Sequence, residues 1–258
     1  MSIKLAMQAR IQNWESTHFE TTKYGKKMRK YKGLHLGEKC FVIGNGPSLS
    51  AEDLDILYEH NVVTFATNRV FNIFDRTAWR PTYYASEDII ILRDIQSIIS
   101  DMNVKARFIP VNLKWYEDVD IKNADYFYMD YNNDYRKTFG ISTDIPHGIR
   151  CRGTVTMTCL QLAIYMGFSE IYLLGIDHNF AKMINMDGKL VIDNSIKNHF
   201  SEKYDAGVKD QGYDIGNTTK AYLDVENFSR ETNSFRVFNA TRGGKLEVYE
   251  RVNFDDLF

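Results

Sequence analysis

The sequence lacks the features that mark membrane-spanning, disulfide-stapled and fibrous proteins. No apolar run approaches the roughly 20 residues that cross a bilayer, and the first residues lack the apolar core of a secretory signal. The 3 cysteines are an odd number without metal-ligand spacing, so neither a disulfide framework nor a zinc ribbon is expected. Only 4 prolines occur, and no low-complexity linker or repeat divides the 258 residues. We therefore expect a cytoplasmic globular protein.

Excess charge of one sign is also missing. The 32 basic and 34 acidic residues leave a net charge of −2, which argues against nucleic acid as a partner. One local exception is the stretch 23–32, which carries six cations and no acid. This stretch suggests a peripheral contact with anionic lipid at the inner face of the membrane. A solvated cationic face, or a subunit contact in a homo-oligomer, is the plainer explanation.

Short apolar runs alternate with helical patterns from Lys39 onward. This alternation predicts an α/β fold with a mostly parallel sheet and helices on both faces. Residues 1–36 are predicted to form a helical and basic extension, and residues 37–258 a single domain. Within that domain the patterns predict strands at 40–43, 62–66, 82–85, 106–109, 126–129, 170–174, 235–238 and 246–249, helices at 51–59, 88–100, 154–166 and 218–231, and a lid segment at about 178–216.

A glycine-rich segment, GNGPSL at 44–49, lies between the first predicted strand and its helix. Gly44 and Gly46 would let the backbone approach a ligand, and the helix that follows would offer free N–H groups to an anion. No Gly-Lys-Ser/Thr closes the segment, and Leu49 stands where the dinucleotide fingerprint needs its third glycine. The segment predicts a phosphate site that is neither a Walker loop nor a dinucleotide loop, with a plain tight turn as the alternative.

Two more segments are expected at the same edge of the sheet. Arg152 precedes Thr154, which opens an apolar helix, so a phosphate or carboxylate could be bound there. Alternatively, Thr154 only caps the helix and Arg152 is a surface cation. Asp177 ends a buried strand, where it could hold a ligand hydroxyl or a metal. We favour Asp177 as an anchor that ties down a loop.

The lid segment and the C-terminal region add further candidates. His178 and His199 bound the lid, where a general base is often carried. The segment 239–245 holds Arg242 and a Gly-Gly pair after a predicted strand. It could face the ligand, or it could be a hairpin turn between the last two strands.

These segments together resemble a known family. GNGPSL at 44–49, Asn68, Arg152-Gly-Thr and EIYLLGID at 170–177 resemble the bacterial lipooligosaccharide sialyltransferases, Rossmann-like enzymes that use CMP-sialic acid. The same Gly-rich opening and the strand-Gly-Ile-Asp block are similar to the broader group related to archaeal 6-hydroxymethylpterin diphosphokinase. The resemblance covers roughly residues 38–200 and implies a Rossmann-like fold.

The resemblance also implies roles for individual residues. It places the following side chains and backbone in the nucleotide and sugar pocket: Asn45, Gly46, Ser48, Asn68, Arg152 and Thr154. His199 matches the family's catalytic base by its order in the chain. Asn179 stands where the family has the first of two tyrosines that assist the departing phosphate. Lys182, Tyr204 or Arg242 would then take over that task.

The leading functional prediction is a glycosyltransferase with a histidine general base. It would transfer a sugar from a nucleotide-activated, CMP-linked donor to a glycan or lipid-linked acceptor of the cell surface, without a metal or cofactor. One alternative is a diphosphokinase that uses ATP and magnesium, for which Glu87, Asp88 and Asp177 are the natural ligands. Another alternative is a non-catalytic protein that binds a nucleotide or a glycan.

Overall fold

The computed structural model describes residue 14 and residues 17–131, 140–205 and 212–258. Its strands follow one another along the chain as β1 (Lys39–Ile43), β2 (Val63–Thr67), β3 (Tyr83–Ala85), β4 (Ala106–Pro110), β5 (Asp125–Phe127), β6 (Met129–Asp130), β7 (Ile149–Arg150), β8 (Glu170–Leu174), β9 (Lys182–Ile184), β10 (Leu190–Ile192), β11 (Tyr213–Asp214), β12 (Arg236–Asn239) and β13 (Glu250–Arg251). The helices are α1 (Lys23–Met28), α2 (Ala51–Glu59), α3 (Ile89–Asp101), α4 (Val111–Tyr116), α5 (Val155–Met166) and α6 (Ile215–Thr232).

A parallel sheet of eight strands organises this part of the chain. Its strand order is β13-β12-β8-β1-β2-β3-β4-β5, and each neighbouring pair is parallel. Strands β2 to β5 extend the sheet to one side of β1, whereas β8, β12 and β13 extend it to the other. The order of the strands therefore reverses between β1 and β8. In open α/β sheets, ligands bind at such a reversal, beyond the carboxyl ends of the strands. The α/β, Rossmann-like expectation is confirmed.

Each face of the sheet carries its own apolar core because the central strands are buried on both sides. In β1, Cys40 and Val42 point into the core beneath α5 and α6, whereas Phe41 and Ile43 point into the core beneath α2 and α3. This explains why β1 and β8 appear in the sequence as continuous apolar runs. No described helix is long and apolar enough to cross a membrane.

Local sequence signals account for the helix ends next to the sheet. Ser50 Oγ accepts a hydrogen bond from the Asp53 amide at 3.1 Å and so caps α2. Gly167 ends α5 with a φ of 88°, a left-handed conformation that glycine adopts without strain. The observed limits of α2 and β8 coincide with the predicted ones.

Residues 17–36 pack against the edge strand β5. The Tyr31 hydroxyl donates to Asp125 Oδ2 at 2.7 Å, and Lys27 Nζ lies 2.7 Å from Asp125 Oδ1. Phe19 and Met28 are fully buried in the two cores. The division into an extension and a single domain stays a prediction, and residues 1–13 and 15–16 of the predicted extension lie outside the described residues.

Three parts of the fold differ from the sequence prediction. The last strand is β13 and not the predicted 246–249. Leu246 and Tyr249 are both buried, which explains the apolar pattern, but the segment that contains them is irregular. Since β12 and β13 are parallel, the Gly-Gly pair between them is not a hairpin turn. The lid contains a three-stranded sheet of β10, β9 and β11. Helix α4 was not predicted.

Candidate functional site

A cleft of about 960 Å³ opens at the carboxyl ends of β1 and β8, where the strand order reverses. Its described lining includes most of the residues that the sequence singled out, namely Gly44, Asn45, Gly46, Asn68, Arg152, Thr154, Asp177, His178, His199 and Tyr204. These residues come from distant parts of the chain, yet parallel strands bring their carboxyl ends to one edge. Ser48 and Arg242 are not part of the described lining.

The backbone amides of the two glycines in the glycine-rich segment are hydrogen-bonded within the protein. Gly44 N donates to Leu174 O at 2.8 Å, and Gly46 N donates to Gly175 O at 2.9 Å. A Cβ atom on Gly46 would lie 1.9 Å from Asp177 Oδ2, so the glycine is required by the close approach of two loops. These two amides are therefore already occupied, and the phosphate role of the segment as a whole stays a prediction. The segment forms one wall of the cleft.

Asp177 anchors this wall. Its Oδ2 accepts hydrogen bonds from Ser48 Oγ at 2.8 Å and from Ser48 N at 3.4 Å. Burial raises the pKa of the Asp177 carboxyl, and the hydrogen bonds from Ser48 lower it. The backbone around Asp177 is held from the other side, where Lys245 N donates to Asp177 O at 2.7 Å. The anchor role that the sequence favoured for Asp177 agrees with these contacts, although the loop it ties down precedes α2.

Asn45 is held in a fixed orientation at the same wall. Its Nδ2 donates to Thr67 O at 3.1 Å and to Thr67 Oγ1 at 3.0 Å. Its Oδ1 is buried and has no hydrogen-bond partner within the described residues. A buried acceptor without a donor is costly, and a ligand donor would relieve that cost. Asn68, which also lines the cleft, accepts a hydrogen bond from Ser86 Oγ at 2.8 Å through its own Oδ1.

Among the described residues that line the cleft are the caps of three helices, and one of these caps is a neutral side chain. Asp88 Oδ1 accepts from the Ile90 amide at 2.8 Å and caps α3. Asp214 Oδ1 accepts from the Asn217 amide at 2.9 Å and caps α6. The neutral hydroxyl of Thr154 caps α5. Because a helix N-terminus favours negative charge, the first turn of α5 is the best position for an anion among these three.

Arg152 lies directly before that turn. Its side chain is buried, with 6% of its surface exposed, and its Nη2 donates to Asp224 Oδ2 at 2.5 Å. Arg152 is thus a buried cation on the lining of the cleft, held in place by an acid from α6. The surface-cation alternative is wrong.

Arg242 forms ion pairs within the protein and does not belong to the cleft lining that the structure describes. Its guanidinium donates to both carboxylate oxygens of Asp53, at 2.9 to 3.1 Å, and also pairs with Asp255. Asp53 is buried in α2, and the bidentate pair ties the segment after β12 to that helix. The prediction that Arg242 binds substrate is therefore not supported by its position. Its conformation is explained by these ion pairs.

The two lid histidines occupy different environments. His178 has a φ of 52°, and its Nε2 lies 2.8 Å from Thr219 Oγ1. Burial lowers the pKa of His178 to about 4, so this imidazole is neutral at physiological pH. The ring of His199 stacks on that of Tyr204, with the two centroids 3.7 Å apart and the planes inclined by 15°. Both rings line the cleft.

Glu87 is a cleft residue to which the sequence gave no role beyond magnesium binding. It follows β3, is partly buried, and accepts a hydrogen bond from Thr158 Oγ1 on α5. Burial raises the pKa of the Glu87 carboxyl to about 7, with a smaller contribution from the charge of Asp88. Among the described residues, no group of three or more His, Cys, Asp or Glu side chains is arranged to hold a metal ion. The three carboxylates named for magnesium are not gathered into such a group.

A family model matches residues 12–183, which is more than half of the chain. It describes the 6-hydroxymethylpterin diphosphokinase MptE-like proteins. The chain belongs to this MptE-like family. The resemblance to the diphosphokinase-related group is thereby confirmed. The matched residues include the glycine-rich segment, Arg152, Asp177 and His178, whereas His199, Tyr204 and Arg242 lie beyond them. No curated protein matches the chain.

One solved structure shares the fold of this MptE-like chain. The MAf glycosyltransferase from Magnetospirillum magneticum AMB-1 is 15% identical, with a TM-score of 0.52 over 91% of this chain and 38% of that one. The MptE-like chain thus spans 38% of the length of MAf and shares the fold of that part. A mammalian sialyltransferase in complex with Gal-beta-1-3GalNAc-ortho-nitrophenol is 9% identical over 92% of this chain and 86% of that one. Its TM-score of 0.40 is too low to support an inference.

Proposed function

We propose that the protein is a glycosyltransferase that uses a nucleotide-activated sugar, with a CMP-linked donor as the first candidate, to extend a cell-surface glycan. The observation that carries this proposal is the anion position at the start of α5, inside a cleft of about 960 Å³. That volume is at the upper end of the range for small-molecule sites and suits a nucleotide joined to a sugar. The fold shared with MAf is consistent with this function.

The donor phosphate would bind at the first turn of α5, next to Arg152. The helix dipole and the buried guanidinium both stabilise negative charge, and that charge grows as the bond to the anomeric carbon breaks. Charge stabilisation of this kind acts on the leaving group without a proton transfer. It would replace the tyrosine pair of the sialyltransferases, the first of which corresponds to Asn179 here.

The acceptor hydroxyl would be deprotonated by a lid histidine. His199 is the better candidate because its ring lines the cleft and is held against Tyr204. His178 is a weaker base, since burial lowers its pKa to about 4 and Thr219 engages its Nε2. In the reaction, the acceptor oxygen forms a bond to the anomeric carbon, its proton passes to His199, and CMP leaves with the electron pair of the broken bond.

The family description favours a second candidate, a diphosphokinase that transfers diphosphate from ATP to a pterin or a similar alcohol. The two functions differ in nucleotide and in metal requirement. The glycosyltransferase would release CMP in EDTA, whereas the diphosphokinase would consume ATP only with magnesium. A thermal-shift screen with CMP, UDP, GDP, ADP and ATP identifies the nucleotide first, because a ligand that binds only the native state raises its melting temperature.

His199→Asn tests the catalytic step, with His60→Asn at an exposed helix end as the matched control. We expect His199→Asn to lower the turnover of a CMP-linked sugar by about 100-fold or more while CMP still binds, and His60→Asn to leave turnover unchanged. Equal turnover of the two variants would reject His199 as the base. A native protein that binds none of the five nucleotides would reject both enzymatic proposals.

A further inference from the structure

A second cavity, of about 410 Å³, lies against the edge strand β5 and away from the cleft. It lies between α1, the end of α4 and the segment 120–124 that leads into β5. Two tyrosine rings and Ile121 contribute its apolar surface. Its charged lining consists of four lysines and one carboxylate: Lys23, Lys27, Lys114, Lys122 and Asp120.

Contacts with aromatic rings and acids position three of these lysines, Lys23, Lys27 and Lys114. The ammonium of Lys23 lies 5.0 Å from the centroid of the Tyr24 ring, and that of Lys114 lies 5.2 Å from the centroid of Tyr126. Lys114 also pairs with Asp120. Lys27 pairs with Asp125, as described above, so the cationic charge that these two ion pairs leave on the lining is that of Lys23 and Lys122. Such a cavity matches the phosphate of a lipid headgroup or of a soluble phosphate ester.

The cavity lies beside β5, and part of its lining belongs to the end of the sheet at which the parallel strands begin. Residues 121–124 directly precede β5, and the Lys122 amide donates to Ser100 Oγ near the end of α3. The cleft lies beyond the carboxyl ends of β1 and β8, and none of its described lining residues belongs to this cavity. The occupant of the cavity therefore does not compete with a ligand of the cleft.

Two exposed leucines lie at this same end of the sheet, in the segment before β1. The amides of Gly33, His35 and Gly37 donate to the carbonyls of residues 165, 166 and 167 at the end of α5. These alternating bonds turn the intervening side chains outward. Leu34 is 50% exposed and Leu36 is 82% exposed. Apolar side chains fixed outward beside a cationic surface are typical of proteins that bind a membrane interface.

We propose that the end of the sheet where the strands begin binds an anionic bilayer, with a phosphate headgroup in the lysine-lined cavity and Leu34 and Leu36 in the interfacial region. Charge complementarity selects anionic over zwitterionic lipid. The exposed leucine pair favours a bilayer over a soluble phosphate ester, because a soluble ligand in the cavity would leave both leucines in water.

Flotation of the full chain with vesicles tests this proposal. Vesicles of equal parts phosphatidylglycerol and phosphatidylcholine are compared with phosphatidylcholine alone, at about 50 and 300 mM salt. We expect binding to the anionic vesicles that falls with salt, and little binding to phosphatidylcholine. The double variant Lys23→Gln/Lys122→Gln should weaken binding by about tenfold or more, since each lysine near an anionic surface contributes roughly one factor of five. Leu34→Ser/Leu36→Ser should weaken it independently.

The matched control is Lys189→Gln/Lys245→Gln, which removes the same charge from exposed lysines of the lid and of the loop bonded to Asp177. Flotation of this control should equal that of the unmodified protein, and melting temperatures should show that all variants are folded. No flotation at low salt, or equal loss in the control and in Lys23→Gln/Lys122→Gln, overturns the proposal. A melting temperature raised by glycerol 3-phosphate in the absence of flotation overturns it too, and assigns the cavity to a soluble phosphate ester.

Discussion

Glu87→Gln is expected to stabilise the protein at alkaline pH and to have little effect near pH 4.5. Burial raises the pKa of the Glu87 carboxyl from 4.5 to about 7 in the folded protein. Between these values the folded state binds the proton that the unfolded chain has released, so stability falls as pH rises through this window. Each pKa unit corresponds to about 1.4 kcal/mol, so ionised Glu87 costs about 3 kcal/mol above pH 7.

Glutamine is the suitable replacement because it keeps the shape of the neutral acid and an oxygen that accepts from Thr158 Oγ1. Urea unfolding, followed by circular dichroism at about pH 4.5 and pH 8.5, measures the free energy of unfolding of both proteins. The two should agree at the lower pH, and the variant should be more stable by up to about 3 kcal/mol at the higher pH. The exposed Glu231→Gln should be neutral at both.

A difference between Glu87→Gln and the unmodified protein that is the same at both pH values would refute this reasoning. It would mean that the carboxyl titrates near its ordinary value and that the substitution acts through packing. A stabilised variant with reduced turnover would identify Glu87 as a residue whose burial serves the reaction at the cost of stability.

Three other substitutions test the remaining parts of the site. Gly46→Ala should lower stability by about 1–3 kcal/mol in calorimetry, because its Cβ would lie 1.9 Å from Asp177 Oδ2; an unchanged melting temperature would contradict the packing of the two loops. Arg242→Ala should destabilise by about 2–3 kcal/mol, since it leaves the buried Asp53 carboxylate without its bidentate partner, while CMP affinity stays within about twofold. A selective loss of CMP binding would restore Arg242 to the site. His178→Asn keeps a residue suited to the left-handed backbone. The unmodified protein should lose stability as the pH falls from about 6.5 to 4, because the unfolded chain binds a proton there that buried His178 does not, and the variant should not show this loss. The measurement is the free energy of unfolding in urea at both pH values; an equal loss of free energy in the two proteins would show that His178 is not the cause.

The central strands and their helices could be predicted because their side chains are buried on both faces. In β8 the four residues after the exposed Glu170 are buried and form an apolar run, so the limits of the strand can be read from the sequence. The lid strands gave no such signal, since Leu190 and Ile192 are each more than half exposed. The pairing of β9 with β11 joins residues about 30 positions apart, across a segment without regular periodicity.

Site residues were found wherever a strand end or a helix start marks them, as with Gly46, Arg152 and Asp177. Their partners could not be found in this way, because each partner lies far away in the chain. Asp177 binds Ser48 across 129 positions, and Arg242 binds Asp53 across 189. The bonds that occupy the Gly44 and Gly46 amides could not be predicted for the same reason, because their acceptors, the carbonyls of residues 174 and 175, lie about 130 positions away.

The distribution of carboxylates relates the two candidate functions to one electrostatic property of the cleft. Asp88 and Asp214 cap two helix N-termini at the cleft, and Asp177 accepts from Ser48. This leaves the start of α5 and Arg152, which is itself paired with Asp224, as the positions that we propose for an anion. A single phosphodiester can be accommodated there by a helix dipole and one guanidinium. A triphosphate would bring several more negative charges into a cleft already lined by acids, and Coulomb repulsion would require a bound cation to offset them. Metal dependence is therefore a consequence of the number of phosphates in the substrate, and this is why measuring activity in EDTA separates the two functions.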